Sequence, residues 1–147
     1  MFARIVVGTD GSATAAEAVR VAFELARMTS AELHLVRACQ PPALAMAAVP
    51  EVGAAALPPD VIDALRQDAE ENLAQLAEEL GAGGLDVHTH VTPEAAGPAL
   101  CQTAAAVGAD LLVVGNRGMQ GARRLLGSVP NHVTHHAPCA VLVVRTV

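Results

Sequence analysis

The chain has 147 residues, 52% of them hydrophobic and 16% charged, with 9 basic against 15 acidic residues and a formal net charge of -6. That length supports one domain with a real core, and the composition excludes a disordered polyanion, because such a chain can repay its backbone entropy by burying apolar area. The acidic balance opposes general attraction to nucleic acid or to an anionic membrane, and an aromatic fraction of 1% leaves almost nothing on which bases could stack.

Arg4 to Thr9 (RIVVGT) is a continuous apolar run closed by Gly-Thr-Asp-Gly, the pattern of a strand buried on both faces and ended by a turn. Ser12 or Thr14 is placed to cap a helix running to about Met28, with Val19, Ala22, Phe23 and Ala26 on one stripe. Glu32 to Ala38 reads as a second strand. From Cys39 to Pro59 the chain is Pro- and Ala-rich without periodicity, which predicts a loop longer than connections usually are. Asp60 then caps the clearest helix, in which Ile62, Leu65, Ala69, Leu73, Leu76 and Leu80 step by threes and fours until Gly81, Gly83 and Gly84 end it.

Asp86 to Val91 alternates like a half-buried strand, and Ala99, Leu100, Thr103, Ala104 and Val107 mark a helix that stops near Gly108. Leu111 to Val114 is a strand ending at Gly115. After a Gly- and Arg-rich loop, Ser128 and Pro130 stand where a helix N-terminus is expected, and a short helix to about His136 precedes a last strand, Ala140 to Val144. Five strands alternating with four helices predict an α/β fold, a single domain over residues 1–147 with an open parallel sheet covered by helices on both faces. Ligands of such sheets bind at the carboxyl ends of strands beside the topological switch point, which directs attention to the residues after Thr9, Val36 and Val114.

The segment Gly115-Asn-Arg-Gly118 through Gly127-Ser128-Val129 has the makings of a phosphate cradle. Its glycines can bring backbone N–H groups close to an anion, and Ser128 opens a helix whose N-terminus favours negative charge. Arg117, Arg123 and Arg124 could add charge there or simply be solvated. All nine basic residues are Arg, so a Walker loop, which needs lysine, is excluded. The first turn, Gly8-Thr9-Asp10-Gly11, does not supply the GxGxxG of a dinucleotide fold. A receiver domain would need an acidic cluster and a late lysine, and flavin binding would favour aromatic partners.

VVGTDGS near the start, GADLLVVGNRGMQGARRLLGS late and HHAPCAVLVV at the end resemble the universal stress protein family, over nearly the whole chain. Its ATP-binding members carry Gly-x2-Gly-x9-Gly-Ser/Thr. Gly115, Gly118, Gly127 and Ser128 follow that order, with eight residues in the last gap. The resemblance implies a Rossmann-like sheet in the order 3-2-1-4-5 and an ATP site, with or without Mg2+, or else one for cyclic AMP or AMP. By the same resemblance Asp10 hydrogen-bonds the ribose or adenine side, Gly8 and Thr9 shape the adjacent wall, and Val36 lines the adenine pocket. Gly115, Gly118, Gly127, Ser128 and Val129 then wrap the ribose and phosphates. It also implies a homodimer through Ala140 to Val144, where an apolar edge strand would otherwise be exposed. The implied role is a stress-response or signalling switch, not an enzyme; a slow ATP hydrolase and a scaffold that binds no nucleotide are the alternatives.

Plainer readings stand beside these. Asp10 alone would serve as a helix N-cap. His132, His135 and His136 read as helix-end residues, and His88 and His90 as a solvent-facing pair on one face of a strand. Glu70, Glu71, Glu78 and Glu79 belong to a solvated helix face. Cys39, Cys101 and Cys139, odd in number and without CxxC or a secretory leader, read as small apolar residues in a reducing cytoplasm. No apolar run approaches the roughly 18 residues of a membrane helix, so no membrane partner is expected.

Overall fold

In the computed structural model, residues 1–40, 58–116 and 128–146 are described. Five strands, β1 (Arg4–Gly8), β2 (Glu32–Ala38), β3 (Val87–Thr92), β4 (Leu111–Gly115) and β5 (Ala140–Val144), form one parallel sheet in the order β3-β2-β1-β4-β5. Helices α1 (Ala13–Thr29), α2 (Pro59–Gly81), α3 (Ala96–Val107) and α4 (Ser128–His136) alternate with them. The expected fold class and strand order are therefore observed.

The alternation of side chains along a strand sorts the core into two layers. Ile5, Val7, Leu33, Leu35, Leu111 and Val113 pack under α1 and α2, whereas Val6, Val36, Leu112 and Val114 pack under α3 and α4. Ile5, Val6 and Val7 are fully buried, as a central parallel strand requires. At about 1.5–3 kcal/mol for each large aliphatic side chain buried, these strands supply much of the driving force for folding.

Several boundaries differ from the sequence reading for local reasons. Ser12, one of the two expected caps, does cap α1, its Oγ accepting from Ala15 N at 3.1 Å, and Asp10 lies outside the cap. Ser30 closes that helix in the left-handed region (φ 55) while its N–H donates to Ala26 O. The long helix starts at Pro59, where a fixed φ suits the first turn, and Asp60 lies inside that turn facing the positive end of the helix dipole. Its apolar stripe reaches the core only from Ala69 onward, since Leu65 is 49% exposed.

The β2–β3 edge corrects the expectation of a solvent-facing histidine pair in part: His88 is exposed, but His90 is half-buried. The register sets His34 beside His88 and Val36 beside His90, so all three rings share one face. His34, 5% exposed, stacks on His88 with centroids 4.8 Å apart, and its Nδ1 shares a 3.1 Å hydrogen bond with His90 Nε2. Burial, followed by the charges of His88 and His90, pushes His34 below the ordinary histidine pKa; burial and then His88 do the same to His90. Both shifts favour the neutral form of the ring.

Two contacts fix how the layers meet. Asp110, ahead of β4, accepts through Oδ2 from Ala3 N (2.7 Å) and Arg4 N (2.9 Å), tying the start of β1 to its neighbour. Those backbone hydrogen bonds hold the Asp110 carboxyl below its usual pKa. Gly97 of α3 lies so close to α4 that an added Cβ would meet Cγ, Cβ and Cδ2 of His132 at 2.8–2.9 Å.

Two outcomes are expected. Because its pKa is depressed in the folded state, Asp110 stabilises the fold above its unfolded pKa and stops doing so as pH falls through the folded value. Asp110→Ala should thus lower the melting temperature at pH 7, and the gap from the parent should close as the pH is taken below 3.8. Gly97→Ala gains roughly 1 kcal/mol of helix propensity. The overpacking against His132 outweighs it, for a net loss of about 1–3 kcal/mol in urea denaturation. His132→Ala in the same chain removes two of the three close atoms and should restore part of that loss.

Candidate functional site

The chain winds from β1 to β3 on one side and returns through α3 to begin β4 beside β1, so the sheet reverses between β1 and β4. At the carboxyl end of β1, Thr9 N donates to Val36 O at 2.9 Å, extending the pairing with β2 one residue beyond the strand. Thr9 Oγ1 then accepts from Gly11 N (3.2 Å) and Asp10 Oδ1 from Ser12 N (2.9 Å). Gly11 has φ +79, a conformation that a side chain would strain. The result is a braced turn in which Asp10 is exposed and the backbone of 9–12 is held by its own side chains.

The register brings a second element alongside. Gly8 pairs with Val36 and Val7 with Val113, so one or two residues further on Thr9 stands level with both Arg37 and Gly115. Arg37 Nη1 lies 3.7 Å from where a Gly11 Cβ would be, which sets a guanidinium against the turn. Sequence reasoning passed over Arg37 because it reads as an ordinary outward residue of β2; the signal lies in the pairing of strands, not in spacing along the chain.

At the end of β4, Gly115 pairs with Val144, and Asn116 N donates to Val144 O at 2.8 Å. Asn116 Oδ1 accepts from both the N–H and the hydroxyl of buried Thr146, each at 2.8 Å. The first residues of the glycine segment are thereby fastened to the end of β5. Ser128 is exposed at the start of α4, Val129 leans on the second core layer and Pro130 is buried. The N–H groups of that first turn have no acceptor within the helix and form its positive end.

The described site residues therefore divide. Thr9, Asp10, Gly115 and Ser128 lie at strand or helix ends on the carboxyl side of the sheet. Gly8 stands against α3, where an added Cβ would lie 3.0 Å from Leu100 Cδ1, so its lack of a side chain also serves packing. Val36 is 2% exposed in the second core layer and offers the turn its carbonyl. Gly118 and Gly127, like Arg117, Arg123 and Arg124, lie outside the described residues, as does most of the stretch from Cys39 to Pro59. On the other side of the turn, a groove between α1 and α2 opens at Thr9, Gly11 and Ser12 and is lined further in by Phe23, Leu76 and Leu80.

Other candidate groups behave structurally. Burial pushes the Cys101 thiol up; burial, then Asp110 and Cys101, do so for Cys139, which keeps both protonated and poorly nucleophilic. His132 and His136 stack at 4.3 Å, and His136 Nδ1 lies 2.9 Å from the His132 carbonyl oxygen, so this ring is spent on its own helix. No described helix is long and apolar enough to cross a membrane.

A profile described as the universal stress protein family matches residues 1–145. Universal stress protein MJ0531 of Methanocaldococcus jannaschii is 30% identical over 146 residues, covering 99% of this chain and 83% of that protein. Among solved structures, the universal stress protein UspA from Lactobacillus plantarum superposes with a TM-score of 0.79 at 23% identity over 97% of both chains, a likeness of fold. A universal stress protein in complex with cAMP is 31% identical, with a TM-score of 0.65 over 99% of this chain and 98% of that one.

Removing the Asn116 acceptor leaves a buried N–H and hydroxyl on Thr146 unpaired. Asn116→Ala should cost about 1–3 kcal/mol in urea denaturation, whereas Asn116→Asp, which keeps an oxygen in place, should cost less.

Proposed function

The chain belongs to the universal stress protein family, and on that premise we propose that it binds an adenine nucleotide, ATP first among them, across the carboxyl ends of β1 and β4 and works as a homodimeric switch, not a fast catalyst. In this reading Asp10 receives a hydroxyl or amino group on the ribose or adenine side. Gly8 and Thr9 shape the adjacent wall, and Val36 contributes to the adenine side through the backbone. Gly115, Gly118, Gly127, Ser128 and Val129 enclose the ribose and phosphates, and Arg37 adds positive charge.

The observation that carries the reading is that three unlike groups stand at element ends on the carboxyl side of the sheet: the exposed Asp10 carboxylate, the Arg37 guanidinium set against the Gly11 turn, and the first turn of α4. A carboxylate suits neutral donors such as sugar hydroxyls; the other two suit phosphate oxygens. A nucleotide presents both kinds of group. The related protein solved with cAMP supports the adenine class and keeps cyclic AMP as the specific alternative to ATP. Magnesium, where ATP is bound, would accompany the phosphates and neutralise part of their charge.

Assembly follows from the far edge of the sheet. Val141 to Val144 are half-exposed on β5, which has no neighbour beyond β4 among the described strands. Because Val144 O receives a hydrogen bond from Asn116 on the β4 side, Val143, one residue back, directs its N–H to the open edge. A second copy of this chain aligned there would satisfy those groups.

Calorimetric titration of nucleotide-free protein with ATP, ADP, AMP and cyclic AMP tests the site. Micromolar binding of at least one is expected, lost in a Gly118→Ala/Ser128→Ala double variant. Arg37→Gln should weaken ATP about 10- to 100-fold, the worth of a charged hydrogen bond, and AMP less. Folded protein that binds none of the four would make the chain a scaffold, and magnesium-dependent phosphate release abolished by Ser128→Ala would make it a hydrolase. Separately, Val143→Pro should shift the sedimenting species from dimer to monomer without disturbing the β4 ladder; a dimer that persists places the interface elsewhere.

A further inference from the structure

We propose that Glu32, His34 and His88 bind a first-row divalent transition ion of the zinc class at the β2–β3 edge, with His90 orienting the His34 ring from behind. The site is separate from the nucleotide reading: His34 lies four residues, or about 13 Å of strand, before the carboxyl end of β2.

The sheet itself assembles the three side chains. Glu32 and His34 are two apart on β2 and so share a face, and His88 is the register partner of His34 on the neighbouring strand. One ligand atom from each lies within 4.8 Å of the other two. An ion with bonds of about 2.0–2.1 Å in tetrahedral geometry holds its ligand atoms about 3.3 Å apart. The cluster must therefore close by about 1.5 Å. The half-exposed members can do so: the side chains of His88 and Glu32 are 46% and 41% exposed, and His88 need only turn out of its stack on His34.

The fixed member is His34. It is 5% exposed, and its buried Nε2 has no hydrogen-bond partner. Glu32 Oε2 stands 3.5 Å from that nitrogen, too far for a sound hydrogen bond and within reach of a shared ion. On the other side of the ring, Nδ1 is 3.1 Å from His90 Nε2. If Nδ1 carries the proton and donates to His90, Nε2 presents a bare lone pair toward Glu32 and His88. This is the usual division of labour in a metal-bound imidazole, whose second nitrogen is held by a neighbour. His88 has a neighbouring carboxylate too, its Nε2 lying 3.2 Å from Asp86 Oδ1.

The competing contact is weak. Arg4 Nε lies 3.2 Å from Glu32 Oε2, but this is an exposed ion pair and contributes little, and the second carboxylate oxygen is available. Two imidazole nitrogens and one carboxylate oxygen suit zinc, cobalt, nickel or copper. Magnesium and calcium prefer all-oxygen surroundings. With three protein ligands, water would complete the coordination.

The test titrates metal-free, full-length protein with zinc chloride by calorimetry, with magnesium chloride as control, and follows the melting temperature. One zinc per chain is expected, with a rise in melting temperature, because the ion joins β3 to β2 only in the folded state. His88→Ala alters a half-exposed position, so the fold persists, and should weaken zinc by more than tenfold; Glu32→Gln should act likewise. His90→Gln should weaken it by about tenfold, as loss of an orienting partner does. His136→Ala, on α4, should leave binding unchanged. Zinc uptake that survives both His88→Ala and Glu32→Gln, that disappears with His136→Ala, or that is absent from folded parent protein would overturn the assignment.

Discussion

In a parallel sheet the central strands, paired on both sides and buried on both faces, leave their backbone no polar surface except at the strand ends. Ile5 to Val7 and Leu111 to Val114 spend their N–H and C=O groups on neighbouring strands and their side chains on the two helical layers. Each strand must then be followed by a helix that runs back over the sheet, so strand ends and helix starts gather on one side. The chain reverses its direction of winding between β1 and β4, and the gap between their loops is where a ligand can reach backbone groups without breaking the ladder.

What stands at that gap is built mainly from main chain. The turn after β1 is braced by its own Thr9, Asp10 and Ser12, and the segment after β4 is pinned through Asn116 to Thr146. A chain without lysine has to find positive charge in arginine, backbone N–H groups or both. In the proposed reading Arg37 and the first turn of α4 would provide these from two different elements. Under the proposed function, such bracing would lower the ordering left to be done on binding, which favours affinity without any need for a reactive side chain.

The elements were legible because their signals are local. Apolar runs closed by glycine marked β1 and β4, steps of three and four marked α2, and Ser12 announced α1. Of the glycine segment, Gly115 and Ser128 stand at the ends of elements as expected, while Gly118 and Gly127 lie outside the described residues. What escaped depends on which strands become neighbours. His34 meets His88 and His90 at separations of 54 and 56 in residue number, and Arg37 meets Gly11 across the β1–β2 pairing. No window along the chain contains such pairs. Val36 shows the complementary effect, a residue near a strand end whose side chain is claimed by the core beneath it.

The approach of α3 to α4 at Gly97 has an evolutionary consequence. Residues 97 and 132 occupy one volume between two helices, so they behave as a single locus. A lineage that places a side chain at 97 before 132 has shrunk passes through a strained intermediate. The reverse order crosses only a small cavity. Substitutions at the two positions should therefore be historically ordered, with change at 132 opening the way for change at 97, and the same residue at 97 should be tolerated in one relative and damaging in another.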